Sequence, residues 1–394
     1  MKAVFFDFTI AFGGAPAGTI SLAERLSKTM DVHIVDAYGK CPEYLARIQK
    51  AGLPCHVLFP EARELFIGHA GRPLMRIGSA LSQLGDFWRI RKRLNAVLNE
   101  IGPDIVWTNN EKSLVFVLGP LLRARFPVVL YYRGWGTPGQ IGRFFRFLLK
   151  NRVAGLVVHS QIIADRFVSY GIPRGKIFPI PNAVGIDGTV EEERHKALDL
   201  PGEERLLKIL LPAARPVHDK GLDVALRALR RLKDKGQDAV LWITGEIPTG
   251  VDHAYYAGLK AAISNLRLEQ DVHFIGWRND LQSIIVRSDV VIVPSRTEGF
   301  PRVVAEAMLL GVPVCATPVG GIPDAILDGR TGFLVDVDDD DMLADRIGAL
   351  GADRELRARL TGAAKALALN LFSLEKHTAA VGDVFQRIVQ HGRG

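Results

Sequence analysis

The stretch that most limits what this chain can fold into runs from Asp289 to Val335. Asp289-Val-Val-Ile-Val-Pro294 is a short apolar run rich in β-branched residues, the pattern of a buried parallel strand. Ser295 to Phe300 is a polar loop. Pro301 to Leu310 reads as a helix, with Pro301 suited to its first position and Gly311 to the site just past its end. Glu298 lies on the loop and Glu306 in the second turn of the helix. Gly299 leaves the backbone bare just before the helix, where free N–H groups make an anion site. A phosphate on the amides and sugar hydroxyls on the two carboxylates is one reading. The other is that Glu298 favours the helix dipole and Glu306 is a solvated helix residue.

Strands and helices alternate on either side of this block. Lys2–Phe8, Asp31–Asp36, Cys55–Phe59, Asp104–Thr108, Val128–Tyr132 and Gly155–His159 read as strands, with helical stretches between them, the first over 17–29. Leu206–Pro212, Ala239–Thr244 and Asp271–Ile275 continue the series, with a helix over 221–232. Such repeats imply an α/β chain of parallel sheets covered on both faces, with ligands at the carboxyl ends of the strands.

Several segments fall at such ends. Phe12-Gly-Gly-Ala-Pro-Ala-Gly18 joins the first strand to the first helix; it lets a phosphate approach the backbone, or is a plain tight turn. Tyr131 to Pro138 carries Arg133, which meets an acidic acceptor or phosphate, or pairs with a structural carboxylate. Arg215 and Lys220 suit a diphosphate, as a planar fork and a point charge, or are solvated surface cations. Trp277, past the strand Asp271–Ile275, plugs an apolar gap unless the resemblance described below places a base beside it. The acidic run Asp336–Asp341 has the look of a metal site, but it directly precedes a helix, where carboxylates cap N–H groups.

Other segments concern organisation. The Pro- and Gly-rich run Gly171–Asn182 reads as a crossing between domains, and Gly188–Leu200 as a surface excursion. Ser373–His391 has helical period. Two basic amphipathic stretches, 84–98 and 140–152, set cations beside Phe87, Trp88, Phe144 and Phe147. Either they lie on an anionic membrane, or their apolar residues face the sheet and their charges face water.

Glu298-Gly-Phe-Pro-Arg-Val-Val-Ala-Glu306, followed by Gly311-Val-Pro-Val and Gly320-Gly-Ile-Pro, resembles the signature of the family 4 glycosyltransferases. A Glu pair at this spacing is common alone; the whole block, with its strand before and its Gly-Gly loop after, is specific. Elsewhere the likeness rests on short motifs. The resemblance implies a GT-B fold, with two Rossmann-like domains facing across a cleft and a C-terminal helix crossing back to the first. An acceptor-binding domain would span 1–182 with the crossover helix 373–394, and a nucleotide-sugar-binding domain 183–372. The implied activity is retaining, metal-independent hexosyl transfer, with no cofactor and a UDP-, GDP- or ADP-sugar as donor. Glu298, Arg215 and Lys220 would then be catalytic. Gly13, Gly14, Trp277, Gly299, Phe300, Pro301, Val303, Val304 and Glu306 would hold the donor, Glu306 at the ribose or sugar edge. Arg133 is the acceptor-side candidate. Many relatives carry a His near this point, and the change leaves donor sugar and acceptor activation open.

Composition bounds the partners. The 394 residues, 48% hydrophobic and 24% charged, are ordinary globular material and enough for two domains. No apolar run reaches the roughly 18 residues of a membrane span. Met1 to Gly18 has a faint outline of a secretion signal, but Asp7 interrupts it and a first strand reads better. Cys41, Cys55 and Cys315 have no metal spacing and no even count, as in a reducing cytosol. The net charge of +7, with no nucleic-acid motif, points to nucleotide sugars and anionic lipid and away from nucleic acid. The expected setting is cytoplasmic, with peripheral contact at the inner membrane face. The expected role is cell-envelope polysaccharide or glycolipid assembly on a glycan or lipid-linked acceptor. The alternatives are a soluble natural-product acceptor or a non-catalytic GT-B scaffold subunit.

Overall fold

A computed structural model describes residues 1–61, 73–119, 125–134, 136, 141–186, 189–195, 198–213, 215–246 and 253–392. The chain divides into two compact units, Met1–Ile180 with Leu374–Gly394, and Pro181–Ser373.

The first unit is a parallel sheet of β1 (Lys2–Asp7), β2 (Asp31–Asp36), β3 (Cys55–Val57), β4 (Ile105–Thr108), β5 (Val128–Tyr132), β6 (Gly155–Val158) and β7 (Ile177–Pro179). The order is β3-β2-β1-β4-β5-β6-β7. β4, β5 and β6 are buried along their whole length, as β-branched runs covered on both faces require. On one face, helices Pro73–Ile101, Glu111–Leu118, Arg143–Asn151 and Gln161–Ser169 contribute Ile90, Leu94, Phe116, Leu148 and Phe167 to the core. On the other lie helices Gly14–Leu26, Pro42–Lys50 and Leu374–Gly392. The last is the C-terminal helix returning to the first unit. Its Phe385 packs against Trp107 at 5.6 Å and Phe5 at 6.3 Å between ring centres.

The second unit is a parallel sheet of β8 (Leu207–Pro212), β9 (Ala239–Thr244), β10 (Val272–Gly276), β11 (Val290–Val293), β12 (Val314–Ala316) and β13 (Phe333–Leu334). The order is β10-β9-β8-β11-β12-β13. Each sheet reverses direction of growth once, between β1 and β4 and between β8 and β11. Loops leaving the carboxyl ends of those strands part there and open a crevice.

Several sequence expectations shift. The first helix starts at Gly14, not Ala17, so the glycine turn is itself the helix start. The run Gly171–Asn182, read as the crossing between domains, contains the boundary between the two units and also a strand: Ile177 is buried and Ile177–Pro179 pairs with β6. The excursion 188–200 contains the short helix Val190–His195, held by a capping box between Thr189 and Glu192. Its Glu193 is buried and accepts from the Ser283 hydroxyl. Within the first basic stretch, Arg91 and Arg93 turn inward and donate to the carbonyls of Phe116 and Leu58. Trp135, Thr137, Pro138, Gln140 and Gly188, and the side chain of Leu84, belong to those expectations but lie outside what is described. Among the described residues, no helix is long and apolar enough to cross a membrane.

Candidate functional site

The second unit's crevice is bounded by the loops after β8 and β11. The Lys220 ammonium donates to Glu298 Oε1 at 2.5 Å, and the Ser295 hydroxyl donates to the same oxygen at 2.9 Å. Glu298 is only 10% exposed and Lys220 28%. Backbone geometry brings the two loops this close. Lys220 ends a single 3-10 turn, His218–Lys220, and Gly221 follows at φ +66° in the left-handed region. A Cβ on Gly221 would run into the Pro294 carbonyl, so only glycine lets this turn press on the end of β11.

Arg296 fastens the loops from the other side. Its guanidinium donates both arms to Asp223 at 2.9 and 2.7 Å, and to the His218 carbonyl at 2.6 Å; its amide reaches the Asp219 carbonyl at 2.8 Å. Tyr255 also donates to Asp223, at 2.9 Å. Burial alone would raise the Asp223 carboxyl, but the Arg296 and Tyr255 hydrogen bonds and the Arg296 charge prevail and hold it well below the usual carboxylate range. The Asp223 hydrogen bond in turn raises Arg296, so the clamp is ionised at any ordinary pH.

The Gly320-Gly-Ile-Pro loop supports Glu298 from behind. Gly321 donates its amide to the Gly299 carbonyl at 2.6 Å, and the Thr317 hydroxyl donates to the Ser295 carbonyl at 2.5 Å. Gly320 sits at φ +62° with no room for a Cβ against the carbonyls of Glu298 and Gly299. The loop's place in the motif is therefore mechanical.

The following helix is Arg302–Leu310. Pro301 is its cap residue, not its first helical one, because its ψ of 115° is extended. Gly311 closes the helix in the left-handed region, as read from the sequence. The Val304 amide donates to the Pro301 carbonyl at 3.0 Å, which removes it from the helix-start donors and leaves that role to Val303. Both valine side chains are buried, and Phe300 is buried against Phe372 at 5.1 Å between ring centres. These residues offer a ligand backbone, not side chains. Glu306 is 13% exposed with Arg302 at 3.7 Å, so it is not a solvated helix residue.

Two further candidates lie on the loops after β8 and β10. Arg215 is exposed and has no ion pair with a described residue. Trp277 is 50% exposed, follows Gly276 at φ +72°, and donates to Asn279 Oδ1 at 3.3 Å. It is not a hydrophobic plug.

The first unit's crevice is built differently. Gly13 caps helix Gly14–Leu26 in extended backbone, and a Cβ there would meet nothing within 4 Å. Asp7, at the end of β1, accepts from the amides of Asn109 at 3.0 Å and Asn110 at 2.7 Å, which ties β1 to the end of β4. Arg133, past β5, reaches Thr19 Oγ1 at 3.3 Å and Asn109 Oδ1 at 3.5 Å, with its guanidinium 4.6 Å from the Tyr131 ring centre. His159, past β6, is buried, and neither ring nitrogen has a hydrogen-bond partner among the described residues. Burial first, then the charges of Arg133 and His377, push it down to about 3, so the imidazole is neutral.

The acidic run divides into structural tasks. Asp339 caps helix Asp340–Ala352 by accepting from the Met342 amide at 2.8 Å. Asp340 pairs with Arg227 and Arg231, and Asp338 with Arg296. Among the described residues, no group of three His, Cys, Asp or Glu is placed to hold a metal ion.

Sequence reasoning missed Ser295, Arg296, Asp223, Tyr255 and His159. Arg296 and Asp223 lie 73 positions apart, and no local pattern signals their meeting. Ser295 and Arg296 were visible only as part of a polar loop.

Comparison with known proteins places this architecture. Residues 191–367 match the family profile "Glycosyl transferases group 1", and residues 12–187 match "Glycosyltransferase Family 4". The N-acetyl-alpha-D-glucosaminyl L-malate synthase of Bacillus anthracis is 32% identical over 128 residues, 32% of this chain and 34% of that protein. The D-inositol 3-phosphate glycosyltransferase of Xylanimonas cellulosilytica is 34% identical over 240 residues, 58% of this chain and 56% of that protein. These matches therefore span between a third and somewhat over half of the relatives' own lengths. Among solved structures, Anabaena HepE in complex with UDP and glucose superposes with a TM-score of 0.80 at 20% identity, over 98% of this chain and 100% of that one. Sucrose-phosphate synthase from Thermosynechococcus elongatus superposes with a TM-score of 0.77 at 17% identity, over 99% of each chain. With both halves matched by the family and the whole chain sharing the GT-B fold, the chain belongs to the family 4 glycosyltransferases.

Proposed function

We propose that the protein transfers a sugar, with retention, from a nucleotide diphosphate sugar to an acceptor hydroxyl in cell-envelope polysaccharide or glycolipid assembly. The observation that carries this reading is the Lys220–Glu298 pair beside the start of helix Arg302–Leu310, at the second unit's crevice. Breaking the bond from the anomeric carbon leaves negative charge on the departing diphosphate. Arg215, Lys220 and the Val303 amide stabilise that charge as it develops. Both bonds to Glu298 fall on Oε1, so its Oε2 orients a sugar hydroxyl. Glu306 holds the ribose or sugar edge, Trp277 borders the base, and the Gly13–Gly14 helix start serves the donor phosphate or sugar. The departing phosphate takes the acceptor proton in a front-face attack, which needs no protein nucleophile and no metal. The second unit is the nucleotide-sugar domain, and the first, with Arg133, receives the acceptor.

A small acidic acceptor is a second reading, favoured by one observation. Two relatives are named for L-malate and D-inositol 3-phosphate, both anions, and Arg133 supplies a cation at the first unit's crevice. A scaffold subunit that no longer catalyses has no need of Lys220 held on Glu298.

The donor half is tested by a thermal-shift panel of UDP, GDP, ADP and TDP, with UDP first because the Anabaena neighbour was solved with it. A ligand at 100 times its dissociation constant adds about 2.7 kcal/mol to the native state. One nucleotide is expected to raise the midpoint, and Lys220→Ala to abolish the rise. No shift from any of the four would sink the donor assignment.

A further inference from the structure

The proposed transfer gives one buried group of the first unit no task. β5 and β6 run in register, with Tyr131 beside Val157 and Tyr132 beside Val158. One residue further sets Arg133 beside His159, and the two-residue period of a strand turns both toward the face that carries Tyr131 and Val157. Tyr131 forms the floor of this corner. Its ring centre lies 4.6 Å from the Arg133 guanidinium, 6.4 Å from the His159 ring and 6.4 Å from that of His377, on the C-terminal helix. Thr19, from helix Gly14–Leu26, and Asn109, past β4, each turn an oxygen toward Arg133, at 3.3 and 3.5 Å.

His159 is 2% exposed, and neither imidazole nitrogen has a hydrogen-bond partner among the described residues. A buried polar atom left so costs the fold free energy, and in native proteins it usually meets a ligand or a water. The neighbouring groups are already committed. Asn109 Oδ1 accepts from Trp107 Nε1 at 3.0 Å, and its amide donates to Asp7 at 3.0 Å. The Thr19 hydroxyl donates to the Ala15 carbonyl at 3.0 Å. Asp7, a carboxylate at this end of the sheet, is held by Asn109, Asn110 and Ser113. The charges that bear on His159 are those of Arg133 and His377, both positive when protonated, so the ring stays neutral and keeps one N–H to give.

We propose that Arg133 and His159 together receive an oxyanion of the acceptor, a carboxylate or a phosphate, Arg133 giving its charge and His159 its N–H. An uncharged hydroxyl would satisfy the imidazole alone. An anion satisfies it and takes up the Arg133 charge as well, through charge-assisted hydrogen bonds. The inference rests on the reading of the first unit as the acceptor side, and goes past it in making His159, beside Arg133, a residue that sets acceptor specificity.

The test titrates the full chain by calorimetry at pH 7 with three probes that differ in one group: glycerate for a carboxylate, glycerol 3-phosphate for a phosphate, and glycerol for neither. Each titration is run with and without the nucleotide that wins the shift panel. One or both anions are expected to bind, and glycerol not. His159→Leu should weaken the anion by about tenfold or more, and His159→Gln, whose amide restores a donor, by less. His159→Leu should also melt no lower than wild type at pH 7, because it deletes an unpaired polar group and not a bonded one. The imidazole signals of His159 followed by NMR should move as the anion is added. The inference is overturned if neither anion binds, or if His159→Leu binds like wild type, which would leave Arg133 alone. It is equally overturned if His159→Leu melts well below wild type, which would make the histidine structural. The wild-type nucleotide shift separates the two sites: a shift without anion binding sinks this inference and leaves the donor assignment standing, and anion binding without a shift does the reverse.

Discussion

The carboxyl ends of the two sheets are provisioned in different ways. In the second unit, cations meet carboxylates: Lys220 on Glu298, Arg296 on Asp223, Arg302 near Glu306. Three segments, 218–223, 294–300 and 317–321, are stitched together by backbone and charge, with two glycines where a Cβ does not fit. In the first unit, Arg133 meets a hydroxyl, an amide oxygen and a ring face, beside a neutral buried His159. Gly13 there is not crowded. If, as proposed, the second unit takes a diphosphate, whose charge and shape hardly vary, its site gains from being fixed before the ligand arrives. A site for an acceptor that differs from one enzyme to the next is better served by groups whose chemistry is less committed.

The largest effect should come from the fixed side. On the proposed reading Lys220→Ala removes a charge that stabilises the leaving diphosphate, and transfer should fall about 10²–10³-fold. Because Lys220 keeps some solvent and Ser295 still donates to Glu298, the melting midpoint should move less than for a fully buried pair. Steady-state transfer kinetics with the nucleotide sugar chosen by the shift panel read this directly. Activity within a few fold of wild type would mean the ion pair is structural, and the contrast between the units would collapse.

Glycine substitutions sharpen the contrast next. Gly221→Ala forces a Cβ against the Pro294 carbonyl at a left-handed φ, and should cost about 3 kcal/mol by chemical denaturation. Gly13→Ala meets open space in extended backbone and should change stability by less than about 0.5 kcal/mol. Equal costs at the two sites would show that crowding does not distinguish the crevices.

Arg296→Ala comes third. It strips Asp223 of its bidentate partner and should cost about 2 kcal/mol, less than a fully buried pair because both groups keep some solvent. Asp223 is held below the ordinary carboxylate range, so its contribution is complete above the unfolded value near 4 and is lost as pH falls through the lower folded value. Melting midpoints in acid should therefore converge for wild type and Arg296→Ala, having differed at pH 7.

How far these features could be read from the chain depends on their range in sequence. Buried strands such as Val128–Tyr132 and Ala239–Thr244 announced themselves at their full length, because burial on both faces demands an unbroken apolar run. Ile177–Pro179, Val314–Ala316 and Phe333–Leu334 did not, being two or three residues long among Gly and Pro that read as turn. The Glu298–Glu306 block was legible because strand, loop and helix are contiguous. Its clamp was not: Asp223 and Arg296 are each unremarkable locally and acquire meaning only when β8 and β11 become neighbours. The basic stretches show the same limit. Periodicity could not tell that Arg91 and Arg93 bind carbonyls while Arg89 and Lys92 face solvent.

His159 gives the smallest effect at neutral pH and the most specific test of the first crevice. Folded, it titrates at about 3, and unfolded near 6.5. A histidine depressed in the native state favours folding fully above 6.5, and that stability drains as pH falls toward 3, because the unfolded chain takes the proton first. Between pH 7 and pH 5 the loss should reach about 2 kcal/mol, an upper value for so buried a group. His159→Gln should flatten that part of the pH profile while retaining Arg133 beside it. Arg133→Gln removes a charge that opposes protonation, so it should raise the titration of His159, end the acid loss at a higher pH and make the total loss smaller. Imidazole resonances followed by NMR would read the titration directly. A His159 that titrates normally in the folded protein would place water or a ligand group at that crevice, and Arg133 would then face solvent chemistry and not a dry pocket.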